Sequence, residues 1–205
     1  MEKLEMIKSK INIFLLFLCC VIQAQTVEEI NSFIGLSDSL HRTEIRIYKR
    51  YSITNGTELL RLYESKENSW YAEMYYFYNE IEGEVETHYE REELSNYDDF
   101  ELIWLNIANS CILYLPPWDE IKYKFEGKRE IYCGEDGYLY SMTHTAILDG
   151  VDYKVFVNSE GKYNFIDYSN PEAHLERFPE VDELISFIQI LEAVRAGFNI
   201  WKEQY

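Results

Sequence analysis

Residues 43–78 read TEIRIYKRYSITNGTELLRLYESKENSWYAEMYYFY, and this stretch decides the fold. From Thr43 onward, apolar and polar residues alternate, which is the pattern of a half-buried β-strand. Asn55-Gly56 follows, and this pair favours a tight hairpin because both residues tolerate a positive φ. The alternation returns over 58–64 and, after a polar stretch, over 70–78. The sequence therefore predicts a three-stranded antiparallel meander.

A helix is predicted over about 98–115, after an acidic stretch that follows the meander. Asp98 and Glu101 favour a capped start, and Pro116-Pro117 ends the helix because proline cannot continue the hydrogen-bond ladder. Apolar residues recur at the spacing of one helical face. They are Phe100, Ile103, Trp104, Ile107, Cys111, Tyr114 and Leu115.

The second half of the chain again shows strands followed by a helix. Turns that contain glycine separate candidate strands at about 128–133, 138–148, 151–158 and 162–168. A C-terminal helix is predicted over about 180–203. Strands joined by hairpins favour antiparallel pairing. We therefore expect an α+β fold, a single two-layer domain in which the central and C-terminal helices pack on mostly antiparallel meanders.

The two halves, about 43–115 and 120–203, resemble each other in this order of elements. An internal duplication is one interpretation. The other is that short alternating hairpins resemble one another through their chemistry alone.

Residues 1–24 have the three parts of a secretory signal peptide. Three lysines precede an uncharged apolar run over 11–22, and Ala24 is a small residue at the expected cleavage site. The run is shorter than the ~20 residues that a membrane-spanning helix needs. We therefore expect an exported protein, periplasmic or extracellular, with its domain over 25–205 and no membrane span after cleavage. An uncleaved anchor, or a lipid attached at Cys19 or Cys20, is the alternative.

The chain is strongly acidic. It has 19 basic and 37 acidic residues and a formal net charge of −18. Removal of residues 1–24 would leave 16 basic and 35 acidic residues. Nucleic-acid binding needs a basic surface that neutralises phosphates, so this charge argues against a nucleic-acid partner. It favours a basic partner or solubility alone.

The sequence contains no P-loop, G-x-G-x-x-G, H-E-x-x-H, G-x-S-x-G or C-x-x-C motif. The nearest approach to a metal motif is Glu172, His174 and Glu176. This spacing brings side chains to one face only on a strand, whereas Pro171 favours a helix. We expect no catalytic residue, no metal and no cofactor. A carboxylate-based hydrolase remains the enzymatic alternative.

Two cysteines, Cys111 and Cys133, lie beyond the predicted signal peptide. In an oxidising compartment they could form a disulfide. Cys111 also falls on the apolar stripe of the predicted helix, where a buried free thiol is common. Both interpretations stay open.

The aromatic strand 70–78 carries the candidate binding residues. Tyr71, Tyr75 and Phe77 alternate with residues predicted to face the core. A sheet covered on one side needs only one apolar face, so these three side chains are predicted to form an exposed aromatic surface. Aromatic side chains of this kind anchor interfaces. Burial of the three under a helix or loop is the alternative.

These features favour a non-catalytic binding module that acts outside the cytoplasm on a protein or glycan. An acidic inhibitor or immunity-type protein that neutralises a basic partner is the alternative, because charge complementarity can direct such complexes.

Overall fold

The computed structural model describes residues 26–81, 83, 85–95, 99–144, 147 and 150–201. The predicted signal peptide, with Cys19 and Cys20, and the predicted cap residue Asp98 lie outside these ranges. The chain divides into two units, Met1–Asp38 and Ser39–Tyr205. In the first unit, helix α1 (Val27–Ile34) begins after Thr26, whose hydroxyl caps it, and ends at Gly35 in the left-handed conformation.

The second unit contains a six-stranded antiparallel sheet with the order β4-β3-β2-β1-β7-β8. Its strands are β1 (Thr43–Tyr51), β2 (Gly56–Glu64), β3 (Trp70–Tyr78), β4 (His88–Glu93), β7 (Val151–Ser159) and β8 (Lys162–Ser169). The predicted meander is confirmed, and β3 has the predicted bounds. Asn55-Gly56 does not form the predicted turn, because neither residue has a positive φ and Gly56 already belongs to β2.

Two further strands, β5 (Glu126–Gly134) and β6 (Gly137–His144), pair with each other and, among the described residues, form a separate two-stranded sheet. We call this two-stranded sheet the ribbon. The helices of this unit are α2 (Phe100–Asn109), α3 (Trp118–Ile121), α4 (Pro171–Arg177) and α5 (Asp182–Phe198), with a 3₁₀ turn at Lys122–Phe125. The α+β class predicted from the sequence is confirmed.

Both long helices are shorter than predicted. Helix α2 ends at Asn109 rather than at 115, because Cys111 has a φ of +61°, which a right-handed helix cannot contain. Helix α5 ends at Phe198, where Asn199 adopts the left-handed conformation of a C-terminal cap.

The core lies between one face of the large sheet and helices α2 and α5. The sheet contributes Ile45, Ile47, Leu60, Leu62, Met74, Val155 and Val157. The helices contribute Ile103, Trp104, Ile107, Leu184, Phe187 and Leu191. We call this side of the sheet the helix-side face and the opposite side the far face.

The two halves of the sequence contribute differently to this unit. The first half supplies four adjacent strands of the large sheet, whereas the second half supplies β7, β8 and the ribbon. Among the described residues, no helix combines the length and the apolar character that a membrane crossing requires.

Candidate functional site

The three candidate binding residues share the far face, as the alternation predicts. Tyr71 is 47% exposed, but Tyr75 and Phe77 are buried. The prediction of an exposed three-residue aromatic surface is therefore wrong for two of its members.

Tyr75 has one partner on its own strand and another on the neighbouring strand β4. Its hydroxyl donates a hydrogen bond to Glu73 Oε2 at 2.8 Å, and its ring lies 6.4 Å from that of Tyr89 on β4. Burial and this hydrogen bond raise the pKa of Tyr75 to about 12. Phe77 pairs across the sheet with Thr57 and Tyr89. These contacts leave only Tyr71 available to solvent.

Charged side chains occupy the centre of the far face. Glu44 Oε1 accepts hydrogen bonds from Nε of Arg46 and from Nε of Arg61, both at 2.7 Å. Glu73 accepts from Arg61 at 3.1 Å and from Arg91 at 2.6 Å. We call these five residues the far-face ion network.

Burial favours a raised pKa for Glu44 and Glu73, but the hydrogen bonds that their carboxylates accept hold both pKa values below the ordinary 4.5. Both groups are therefore ionised at neutral pH and bound to arginine. A buried ion pair needs such complete pairing, because an unpaired buried charge is strongly destabilising. This network explains how a face with charged residues at alternate positions can be buried.

The predicted disulfide is not present. Cys111 and Cys133 are both free and exposed. Cys111 lies in the turn that follows α2, and Cys133 lies on β5 near the tip of the ribbon. The alternative of a buried thiol on the helix stripe is also wrong, because the helix ends before Cys111.

The ribbon exposes large apolar side chains on both of its faces. On one face Ile131 pairs with Tyr140, and Cys133 pairs with Tyr138. Ile131, Tyr138 and Tyr140 are 77%, 84% and 73% exposed. On the other face Tyr132 and Leu139 form a pair that is about half exposed. A contiguous exposed apolar patch marks an interaction site.

Two glycines shape the tip of the ribbon. Gly137 has a φ of +122°, a conformation that other residues rarely adopt. A Cβ on its partner Gly134 would lie 2.8 Å from Leu139 Cδ1. The turn between these glycines therefore stays tight and carries Glu135 and Asp136 at the end of the ribbon.

The ribbon also offers hydrogen-bonding edges and negative charge. Because the sheet has two strands, the outer backbone groups of both have no ladder partner within the described ranges. Glu130, Glu135 and Asp136 are exposed. An apolar face, an open strand edge and acidic side chains thus occur together on one element.

Sequence reasoning predicted both strands but did not identify the ribbon as a surface. The available signal is the pair of unbroken apolar runs over 131–133 and 138–140. Such runs ordinarily indicate a strand buried on both faces. Periodicity alone does not distinguish that case from an uncovered ribbon.

Glu172, His174 and Glu176 lie on α4, and their side chains do not form a cluster of metal ligands. His174 is buried, with its ring 5.0 Å from that of Trp118 and 4.9 Å from that of Phe125. Burial is the main cause that lowers the pKa of His174. No cluster of three metal-ligating side chains occurs in the part of the chain that the structure describes.

No protein-family model matches the chain, and comparison with curated proteins and with solved structures gave no match either.

Proposed function

We propose that this protein is a non-catalytic binding module that acts outside the cytoplasm and recognises a basic protein partner through the ribbon. The observation that carries the proposal is the exposure of Ile131, Tyr138 and Tyr140 on one face of a two-stranded sheet. Tyrosine offers a large contact area with few rotatable bonds, which suits it to interface anchors.

An open strand edge favours a protein over a glycan as partner. An isolated two-stranded sheet is marginally stable in water, and a third strand stabilises it. An extended segment of a partner can add to such an edge through main-chain hydrogen bonds, while side chains of the strand give specificity. The ribbon offers both kinds of contact. Its open edges can form main-chain hydrogen bonds, and its apolar faces present the side chains.

Charge complementarity favours a basic partner. The exposed acids Glu130, Glu135 and Asp136 lie beside the apolar face, and the whole chain has a net charge of −18. Charges of opposite sign accelerate association and disfavour partners of the same sign. Binding should therefore weaken as the salt concentration rises.

The test uses a photo-crosslinking residue at Tyr138, with the same residue at Tyr114 as a matched control. Tyr114 is also a highly exposed tyrosine but lies outside the ribbon. We expect crosslinks from position 138 to one basic protein of the host's exported fraction. Crosslinks from both positions, or only to a second copy of this chain, would contradict the proposal.

The crosslinked partner, purified, should bind the wild-type protein and should lose most of its affinity for the triple variant Ile131→Ser, Tyr138→Ser, Tyr140→Ser. The triple variant Tyr114→Ser, Tyr123→Ser, Tyr163→Ser removes three other exposed rings and should bind normally. Equal affinity for both triple variants would exclude the ribbon as the binding element.

The acidic inhibitor or immunity-type protein remains the second candidate, because it would use the same surface and the same charges. The two differ in their effect on the partner. An inhibitor abolishes an activity of the bound partner in proportion to complex formed, whereas a binding module leaves that activity unchanged. The hydrolase has less support, since Glu44 and Glu73 are bound to arginine and have lowered pKa values, unlike a general acid.

Export is supported by the sequence of residues 1–24. Mass spectrometry of the protein from its host should then find a chain that begins near Gln25. A cytoplasmic chain that retains the N-terminal residues would contradict export and leave the ribbon proposal to stand on its own test.

A further inference from the structure

A cavity of about 290 Å³ lies at the end of the sheet where β1 turns into β2. Its aromatic walls are Tyr51 of β1 and Tyr76 and Tyr78 of β3, and Glu58 of β2 adds a carboxylate. The turn over 54–57 closes one side. We call this cavity the tyrosine pocket. It is separate from the ribbon.

Strand register explains why these side chains converge. Glu58 is directly opposite Lys49 on β1 and directly opposite Tyr76 on β3. Opposite positions on neighbouring strands project to the same face of the sheet. Glu58 therefore lies between a lysine and a tyrosine on the helix-side face, at the end beyond the apolar core.

One oxygen of the Glu58 carboxylate lacks a hydrogen-bond partner. This atom, Oε2, is buried, and within the described ranges no hydrogen bond reaches it. A buried acceptor left without a donor is destabilising, and a charged one more so. Such a group requires a structural explanation. One explanation is a ligand whose positive charge binds this carboxylate.

Lys49 donates no hydrogen bond to this oxygen, although it is opposite Glu58 in the ladder. Its side chain is buried, and its Nζ atom lies 4.8 Å from the centroid of the Tyr51 ring and 5.3 Å from that of Trp201. The ammonium group thus lies over aromatic rings and interacts with the charge of Glu58 without donating a hydrogen bond to Oε2.

The local charges favour a cation. Burial, followed by the charges of nearby glutamates, raises the pKa of Tyr76; these glutamates are Glu58, Glu90 and Glu92. Glu90 is directly opposite Tyr76 in the ladder of β3 and β4. Three carboxylates act on this ring, whereas the nearby cations are Lys49 and Arg195, and Arg195 is already paired with Glu172.

We infer that the tyrosine pocket binds an organic cation with an alkylammonium group, held by the carboxylate of Glu58 and by the rings of Tyr51, Tyr76 and Tyr78. Aromatic rings attract a cation placed over their faces, and cages of such rings recognise quaternary and methylated ammonium groups. The same chemistry can come from a free small amine or from a lysine side chain of a protein.

The test is a calorimetric titration of the full chain with choline at constant ionic strength. The neutral isostere 3,3-dimethylbutanol, in which carbon replaces the charged nitrogen, is the matched control ligand. We expect saturable binding of choline and binding at least about tenfold weaker for the isostere, a difference of about 1.4 kcal/mol. Equal binding of the two ligands would overturn the inference, as would no saturable binding of any ammonium ligand.

Variants locate the site. Glu58→Gln keeps the side-chain shape and should weaken choline binding by about tenfold, a loss within the range of charge and cation–π contributions. Because Oε2 has no hydrogen bond to lose, the variant should melt at about the temperature of the wild type. Glu67→Gln removes an exposed carboxylate elsewhere and should bind as wild type does. Unchanged binding by the Glu58 variant would overturn the inference.

A ring variant gives an independent check. Tyr51→Leu should weaken binding, whereas Tyr123→Leu, which removes an exposed ring outside the pocket, should not. Titration with N-acetyl-lysine methylamide, in its unmethylated and trimethylated forms, distinguishes the two sources of the ammonium group. Tighter binding than choline indicates a lysine side chain, and weaker binding indicates a free amine. Failure of this test leaves the ribbon proposal unaffected, because the two sites share no residue.

Discussion

Arg61 Nε lies 2.7 Å from Glu44 Oε1, the oxygen atom that Arg46 Nε also reaches at 2.7 Å. Arg46 and Arg61 occupy directly opposite positions in the ladder of β1 and β2. Like charges at such positions destabilise a sheet. The carboxylate of Glu44 binds both arginines and that of Glu73 binds Arg61 as well, and this makes the arrangement stable away from water.

Glu44→Gln should therefore destabilise the protein strongly. The substitution keeps the shape but removes a carboxylate that binds both buried arginines, while Arg61 keeps its pair with Glu73. Removing one member of a buried ion pair costs about 3–5 kcal/mol. Urea unfolding followed by circular dichroism measures this change. Glu160→Gln is the control, because it breaks the exposed pair with Arg42 and should cost only about 0–1 kcal/mol. Similar losses for the two variants would contradict this account of the network.

Acid should destabilise the fold through Glu44 and Glu73. The pKa values of both are held below the ordinary 4.5, because hydrogen bonds from arginine and Tyr75 outweigh the effect of burial. The stability that they contribute is fully present above the unfolded pKa of about 4.5 and is lost as the pH falls through the lower folded values. Unfolding free energies measured from about pH 7 to pH 3 should show this fall. Glu73→Gln should make the fall of the unfolding free energy with pH shallower. An unchanged slope would contradict the assignment of this fall to Glu73.

Both cysteines should react in the native protein. Cys111 and Cys133 are exposed, and alkylation before denaturation should modify the peptides that contain them. Peptide mass spectrometry identifies each modified residue separately. A disulfide-linked peptide that joins Cys111 to Cys133 would show that the two segments come together in a way that the structure does not have.

Residues on the far face of β3 should differ sharply in their contribution to stability. Tyr71→Ser should cost under about 0.5 kcal/mol, since surface substitutions rarely cost more. Phe77→Ser should cost about 3–5 kcal/mol or more, because truncating a buried aromatic ring leaves a cavity. Thermal melts of the two variants provide the comparison. Equal melting temperatures would mean that Phe77 is not part of a packed layer.

The bounds of an element could be predicted from the sequence where they depend on the local pattern of apolar and polar residues. The alternation over 70–78 gives β3 without error, because a strand's side chains alternate whatever lies beyond them. The end of α2 could not be predicted in this way. The apolar spacing continues to Leu115, yet Cys111 adopts a left-handed conformation that ends the helix.

The candidate site was less predictable, because exposure depends on contacts distant in sequence. Alternation places Tyr71 and Phe77 on one face but cannot show which of them is covered. Glu44 and Arg61 meet across two strands, and their separate positions in the sequence resemble solvated charges. The ribbon presents the opposite difficulty. Its apolar runs are typical of buried strands, but their side chains are exposed.

The shared carboxylate of Glu44 also has a consequence for strand alignment during folding. A slip of β2 by two residues along β1 would keep Leu60 and Leu62 toward the helices, so apolar contacts alone discriminate poorly between the two alignments. The same slip would move Arg61 by about 7 Å along the strand, away from its place opposite Arg46. In the native alignment Glu44 binds both members of this opposed arginine pair and Glu73 binds Arg61 as well, so the charges make misaligned pairings of β1 and β2 costly.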